Sequence, residues 1–147
     1  MASENNEDLK SVNLQVVTPK GKAEDTSVDL VTLPGVEGMF GVMPGHAPFF
    51  TLLAPGVISY EEGGMPRMLS VSGGFVEVTN SKVLVLARTC ETKDDIDVDR
   101  AQKSKQEMED KLSTMSFEDE GRKHIEERLH RAISRISVAK GEDASQH

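Results

Sequence analysis

Leu69-Ser70-Val71-Ser72-Gly73-Gly74-Phe75-Val76-Glu77-Val78 reads as two β-type runs interrupted by a glycine pair. Arg67 to Val71 and Phe75 to Thr79 are strand-like, and Gly73-Gly74 predicts a tight turn or bulge between them. Asn80-Ser81 is the next turn signal, and Val83 to Ala87 is a strongly β-prone run suited to burial on both faces. Upstream, Glu62-Gly63-Gly64 separates this stretch from a run at Val57 to Tyr60, and Phe49 to Leu53 forms another. Val12, Leu14 and Val16 alternate with Asn13 and Gln15, the period-two pattern of a half-buried strand, and Pro19 and Gly21 end it. Val28, Leu30 and Thr32 alternate likewise up to Pro34-Gly35. Many short strands joined by turns predict an antiparallel β-sandwich over residues 12–90.

The pattern changes near Glu91. Asp97 suits a helix N-cap, and Val98, Ala101, Met108, Leu112 and Met115 fall on one helical stripe. Ser116 with Asp119 has the spacing of a capping box opening a second helix. Ile125, Leu129, Ala132, Ile133 and Ile136 give that helix its apolar stripe, and Gly141 ends it. Two helices with narrow stripes are poorly stable apart, so they should pair as an antiparallel hairpin over residues 91–140. The expected fold is therefore α+β: a disordered polar lead over 1–11, the sandwich, the hairpin and a polar tail over 141–147. The hairpin, thinly apolar and densely charged, is the part expected to detach and rearrange.

Composition fits that division. Only 37% of the 147 residues are apolar and 29% are charged, so much of the chain must be solvated surface. A net charge of -8 argues against nucleic-acid binding and against adsorption to anionic lipid. The most apolar stretch, Phe49 to Tyr60, is broken by Pro55 and Gly56, and Met1 to Lys10 has no apolar run of a secretory signal. Direct membrane insertion is therefore not expected, and any membrane association should pass through another protein. The single Cys90 excludes an internal disulfide and reads as a small core side chain in a reducing compartment.

The usual catalytic and metal patterns are missing. His46, His124, His130 and His147 form no His-x-x-x-His spacing, so no metal site is expected. Gly21-Lys22 lacks the rest of a phosphate-cradling loop, and no Gly-x-Ser-x-Gly elbow occurs. Asp94, Asp95, Asp97 and Asp99 lack the central Gly and terminal Glu of a Ca²⁺ loop and suit helix capping better. No catalytic residue is assigned.

One segment stands out: Gly38-Met39-Phe40-Gly41-Val42-Met43-Pro44-Gly45-His46-Ala47-Pro48. Pro44-Gly45 fits a type II turn, and the whole should be a tight surface loop presenting His46. It serves either as a corner with His46 bonded to the backbone, or as a partner-contact surface.

This segment resembles the Gly-x-x-Gly-x-x-Pro-Gly-His-Ala-Pro string of F-type ATP synthase epsilon subunits, bacterial type. Leu69 to Val78 resembles that family's second β signature, Ile96-Asp97-Val98-Asp99-Arg100-Ala101 its Ile-Asp-x-x-Arg-Ala motif, and Arg131 to Val138 its last helix. The resemblance spans Val12 to Lys140 in the right order. It implies a non-catalytic central-stalk subunit on the cytoplasmic face of the inner membrane. The sandwich would dock on the gamma subunit and on the polar loops of the c-ring, with Gly38, Met39, Gly41, Pro44, Gly45 and His46 as contacts. Met39 departs from the acidic residue of relatives. The hairpin would lie folded or reach the alpha and beta subunits, inhibiting ATP hydrolysis. The alternative is a stand-alone adaptor whose hairpin binds another protein.

The resemblance also implies a regulatory ATP, with no required cofactor, held by Glu91, Asp97, Arg100 and Ala101 on one side and Arg131 and Arg135 on the other. Arg131 and Arg135 are i, i+4 neighbours with Arg128 one turn earlier, a fork able to grip phosphate oxygens. Equally, these arginines could pair with Glu107 or Asp110 of the first helix.

Overall fold

The computed structural model describes residues 10–142. The expected lead and tail therefore lie largely outside the described residues. Eight strands come first: β1 Val12–Thr18, β2 Gly21–Val28, β3 Val31–Gly35, β4 Gly38–Val42, β5 Phe49–Leu52, β6 Gly56–Glu62, β7 Met65–Val78 and β8 Lys82–Glu91. A 3₁₀ turn at Lys93–Asp95 leads into α1, Val98–Thr114, and α2, Arg122–Lys140.

The strands follow one hydrogen-bonded path, β2-β1-β8-β7-β6-β3-β4, with β5 paired to β7. This path folds over a core that includes Leu14, Val16, Leu33, Ile58, Val76 and Val85, all fully buried. The pairing is antiparallel except between β1 and β8, which run parallel with Leu14 opposite Val83 and Val16 opposite Val85. These two strands come from opposite ends of the sandwich sequence, so no hairpin fixes their direction.

Gly73-Gly74 is neither a turn nor a register shift. β7 runs through it, pairing β6 with its first half and β5 with its second, while β8 stays in register from Ser70–Glu91 to Val78–Val83. Both glycines have positive φ, 57° and 117°. A Cβ on Gly74 would sit 1.7 Å from the Leu86 carbonyl oxygen, so no other residue fits there. The phase of the buried side chains slips at this level. Leu69 and Val71 face inward before the glycines, and Val76 and Val78 after them. β8 slips in step, from Val83, Val85 and Ala87 to Cys90. Val83 to Ala87 alternates buried with half-buried residues rather than being fully covered on both faces.

Three local readings change. The run at Val28 to Thr32 is two strands, because the chain crosses from β2 to β3 at Asp29 and exposed Leu30. β2 itself has no apolar alternation. It is an edge strand, with Glu24 accepting a hydrogen bond from Tyr60 Oη of β6. The glycine-rich segment is only partly loop, since Gly38–Val42 pairs with β3 in a hairpin.

Asp97 caps α1, its Oδ1 accepting from Arg100 N at 3.1 Å. Ser116 and Asp119 do form a turn, with Ser116 N donating to Asp119 Oδ2 at 2.8 Å. The second helix nevertheless starts later, at Arg122 after Gly121, so that turn closes the connection instead of capping α2. Arg122 fixes the corner by donating to the Met115 carbonyl at 3.1 Å. Gly141 ends α2 with left-handed backbone, φ 72°.

Candidate functional site

α2 presents two faces. One carries the expected stripe, with Ala132 buried and Ile125, Leu129, Ile133 and Ile136 half-buried. The other carries Ser134 and Val138, which are buried against the sandwich. That anchor is small. Val138 packs with Val57 and Ile96, flanked by Met68 and Ala139. Ser134 Oγ lies 2.8 Å from Ser70 Oγ of β7 and also donates to the Arg131 carbonyl at 3.1 Å. Sequence reasoning missed this face. Its only signal was the i, i+4 pair Ser134 and Val138 lying off the apolar stripe.

Arg135 completes the anchor. Its Nη2 donates to Glu91 Oε2 at the end of β8, 3.1 Å away. Its Nε approaches Glu91 Oε1 to 3.0 Å, but the N–H is not aimed at that oxygen and makes no hydrogen bond. The contact is therefore one charge-assisted hydrogen bond plus a close charge contact between two largely buried side chains. Arg135 thus pairs with the sandwich and not with Glu107 or Asp110; Asp110 instead accepts from Gln106 at 2.9 Å.

Between the two helices runs a groove of about 460 Å³ walled by Arg100, Lys103, Glu107, Arg128, Arg131 and Arg135. Of the six residues expected around a nucleotide, Arg100, Arg131 and Arg135 meet here, with Glu91 behind Arg135. Asp97 and Ala101 do not line it. Asp97 spends its carboxylate on the helix N-terminus, and Ala101 is fully buried. Arg128 and Arg131 take part in no ion pair among the described residues. Their guanidinium donors are free for an oxyanion.

The segment at 38–46 adopts the expected Pro44-Gly45 turn, with Gly45 at φ 80° and His46 N donating to the Met43 carbonyl at 3.2 Å. His46 is half-buried: Nδ1 donates to the Ala47 carbonyl at 2.8 Å, and the ring lies 5.3 Å from Phe49. The backbone-bonded corner is thus what His46 forms. Exposure falls instead on Gly38, Met39, Gly41 and Gly45, with Met43 61% exposed beside them.

An apolar surface that the sequence reading did not single out lies on the outer side of β5 and β7. Phe50, Leu52 and Val36 are each more than half exposed, and Phe50 lies tilted against Phe75 with ring centroids 5.2 Å apart. Val36 N donates to the Leu52 carbonyl, joining them into one patch. Exposed apolar patches of this kind are typical of interaction surfaces and ligand grooves, and Val36 and Leu52 also line a groove that faces α2.

Nearby, Cys90 packs on the core, and burial together with the negative charges of Asp95, Glu24 and Glu91 pushes its thiol up to about 11. Asp95 is held below the ordinary carboxylate range by hydrogen bonds from Thr92 N and Oγ.

Residues 11–93 match the family model of the ATP synthase delta/epsilon chain β-sandwich domain, and residues 94–140 match that of its long alpha-helix domain. The ATP synthase epsilon chain of Anaeromyxobacter dehalogenans is 41% identical over 129 residues, 88% of this chain and 98% of that one. That of Desulforamulus reducens is 42% identical over 131 residues, with the same coverage of each. A chain in the Euglena gracilis mitochondrial ATP synthase structure shares the fold with a TM-score of 0.74 at 24% identity, covering 91% of this chain and 85% of that one. A Tetrahymena thermophila mitochondrial central stalk/c-ring structure gives a TM-score of 0.57 at 12% identity, covering 88% and 94%.

Proposed function

The chain belongs to the ATP synthase delta/epsilon family, and we propose that it couples the gamma subunit to the c-ring while its helical hairpin restrains ATP hydrolysis. It is a non-catalytic epsilon subunit of the central stalk in bacterial F-type ATP synthase.

One observation carries the regulatory part: the sandwich and the hairpin are held very unequally. The sandwich closes on a continuous core of Val, Leu and Ile side chains. The hairpin meets it through Ile96 and Val138 packed on Val57 of β6, one serine pair and one ion pair, and on the hairpin side all of these lie at or beyond Ser134 on α2 or in the lead-in to α1. So small an interface can open without disturbing the core, because local stability follows buried apolar contact. Released helices would reach the alpha and beta subunits.

The apolar patch of Phe50, Leu52, Val36 and Phe75 suits the gamma subunit, and the exposed segment around Met39 and Met43 suits the c-ring loops. No helix among the described residues is long and apolar enough to cross a membrane. Attachment at the cytoplasmic face of the inner membrane would then be peripheral, through those partners. A regulatory ATP would place its phosphates on Arg100, Arg131 and Arg135 in the interhelical groove. Since that groove is walled by both helices, ATP would favour the folded hairpin only to the extent that it binds this state better.

The test is a chain ending at Thr92, which keeps β8 whole, reconstituted into the synthase. Assembly should be retained and ATP hydrolysis should rise. Hydrolysis equal to that of the full-length complex removes the inhibitory role.

A further inference from the structure

α2 stops before the sheet face beneath it does. Ile58 and Tyr60 of β6 belong to the core, so Val57, Ser59 and Glu61 point to the other side, because successive side chains on a strand alternate. Val138 of α2 packs on Val57, with Met68 and Ala139 alongside, and the helix then ends at Gly141. Beyond that point the face stays open. Ser59 stands between Thr32 of β3 and Met68 of β7 in one cross-strand row, and Glu61 is opposite Pro66 in the next. These residues line a groove of about 460 Å³, together with Gly141 and with Asp29 and Leu30, where the chain crosses from β2 to β3. It shares no lining residue with the interhelical groove or with the groove beside Val36 and Leu52.

The walls are aliphatic and the unpaired charges are negative. Leu30 is 48% exposed, Pro66 is exposed and Met68 is half-buried. Asp29 and Glu61 are exposed carboxylates that take part in no ion pair among the described residues. Arg67 is the one cation lining the groove, and Glu62 lies 3.6 Å from it and offsets its charge. Ser59 Oγ is covered and has no hydrogen-bond partner among the described residues, so a polar group reaching Ser59 would supply one. A cation alone gains little from an exposed carboxylate, because water screens the pair. A cation on an aliphatic stem gains more, since its methylenes also leave water against the apolar wall. Two carboxylates around one opening suit two ammonium groups, and the volume is that of a small-molecule site.

We propose that this groove binds an aliphatic polyamine, with ammonium groups on Asp29 and Glu61 and methylenes against Leu30, Pro66 and Met68. The chain's net charge of -8 raises the local concentration of such a cation. The site does not depend on the subunit role proposed above.

The experiment titrates the full chain at low salt with putrescine, n-butylamine and Mg²⁺, and follows amide NMR shifts. Putrescine should give saturable shifts over residues 29–32 and 59–68. Butylamine keeps the stem but carries one ammonium, Mg²⁺ carries two charges and no stem, and both should bind more weakly. Glu61 is exposed, so Glu61→Gln should fold normally and weaken putrescine binding about threefold, the loss of one screened ion pair. Adding Asp29→Asn should bring the loss to about tenfold. Glu107→Gln, in the interhelical groove, should bind as the parent does. Absence of saturable shifts overturns the proposal, as does parent-like affinity in the double variant. So does butylamine or Mg²⁺ binding as tightly as putrescine, or a loss in Glu107→Gln as large as that in Glu61→Gln.

Discussion

Arg135, near the end of α2, holds the carboxylate of Glu91, the last residue of β8, with Nη2 3.1 Å from Oε2. Forty-four residues of chain separate the two, and they enclose the whole of α1. This pair ties the hairpin to the sandwich at the point where the chain leaves the sheet. Both side chains are about four-fifths buried, so removing one leaves the other poorly solvated. Arg135→Ala should weaken docking of the hairpin by about 1.5–3 kcal/mol, the range for hydrogen bonds to charged groups. Amide exchange should then speed up across α2 while strands β7 and β8 keep their protection. Equal acceleration in both would show that the pair stabilises the whole molecule and not the junction.

The serine pair should respond asymmetrically. Ser134 has one hydroxyl hydrogen and spends it on the Arg131 carbonyl, so Ser70 must donate to Ser134. Ser134→Ala strands the buried Ser70 hydroxyl and should cost about 1–3 kcal/mol of docking. Ser70→Ala leaves Ser134 bonded to its own helix and should cost less, about 0.5–1.5 kcal/mol. Hydrogen exchange in α2 ranks the two variants, and the reverse order would contradict the assigned donor.

Two glycines with positive φ should differ sharply when replaced. Gly45 has φ 80° and open space around it, so Gly45→Ala bears only backbone strain, about 1–2 kcal/mol. Gly74→Ala drives a methyl into the Leu86 carbonyl and must part β7 from β8, which should cost about 4 kcal/mol or more. Urea denaturation of the two variants measures the difference, and similar midpoints would refute it.

Cys90 gives a pH signature. The folded thiol titrates at about 11 against an ordinary 9.0, so it holds its proton more tightly folded than unfolded. Its contribution is then complete below pH 9 and is lost as pH rises from 9 to 11, where the unfolded chain ionises first. Tyr60 is raised as well, through burial and its bond to Glu24, and adds to the same decline. The informative quantity is the difference between parent and Cys90→Ala. The parent should lose more urea stability over that window than the variant does, and parallel curves would show that the thiol is not linked to folding.

Much of the fold was legible. The strand runs at Val12, Val57 and Phe75, the Gly63-Gly64 turn and the cap at Asp97 all depend on neighbours a few residues away. β2 was hidden because an edge strand needs no apolar face, and β4 because its glycines suggested a loop. At the candidate site, the i, i+4 arginines on α2 were visible, and three of the six expected residues do line one groove. The part played by Arg135 was not visible, since its partner lies on a strand and not on the facing helix.

Local sequence by itself determined the elements, because turn geometry, helix caps and the alternation of side chains are settled within a few bonds of each residue. Tertiary structure alone decided that β1 runs parallel to β8, that the inward face changes over at Gly73-Gly74, and that Arg88 faces α2 across an open groove. Each of these joins residues far apart in the chain. Such contacts form only where loop closure is outweighed by what the assembled core buries, a balance that no short window of sequence contains.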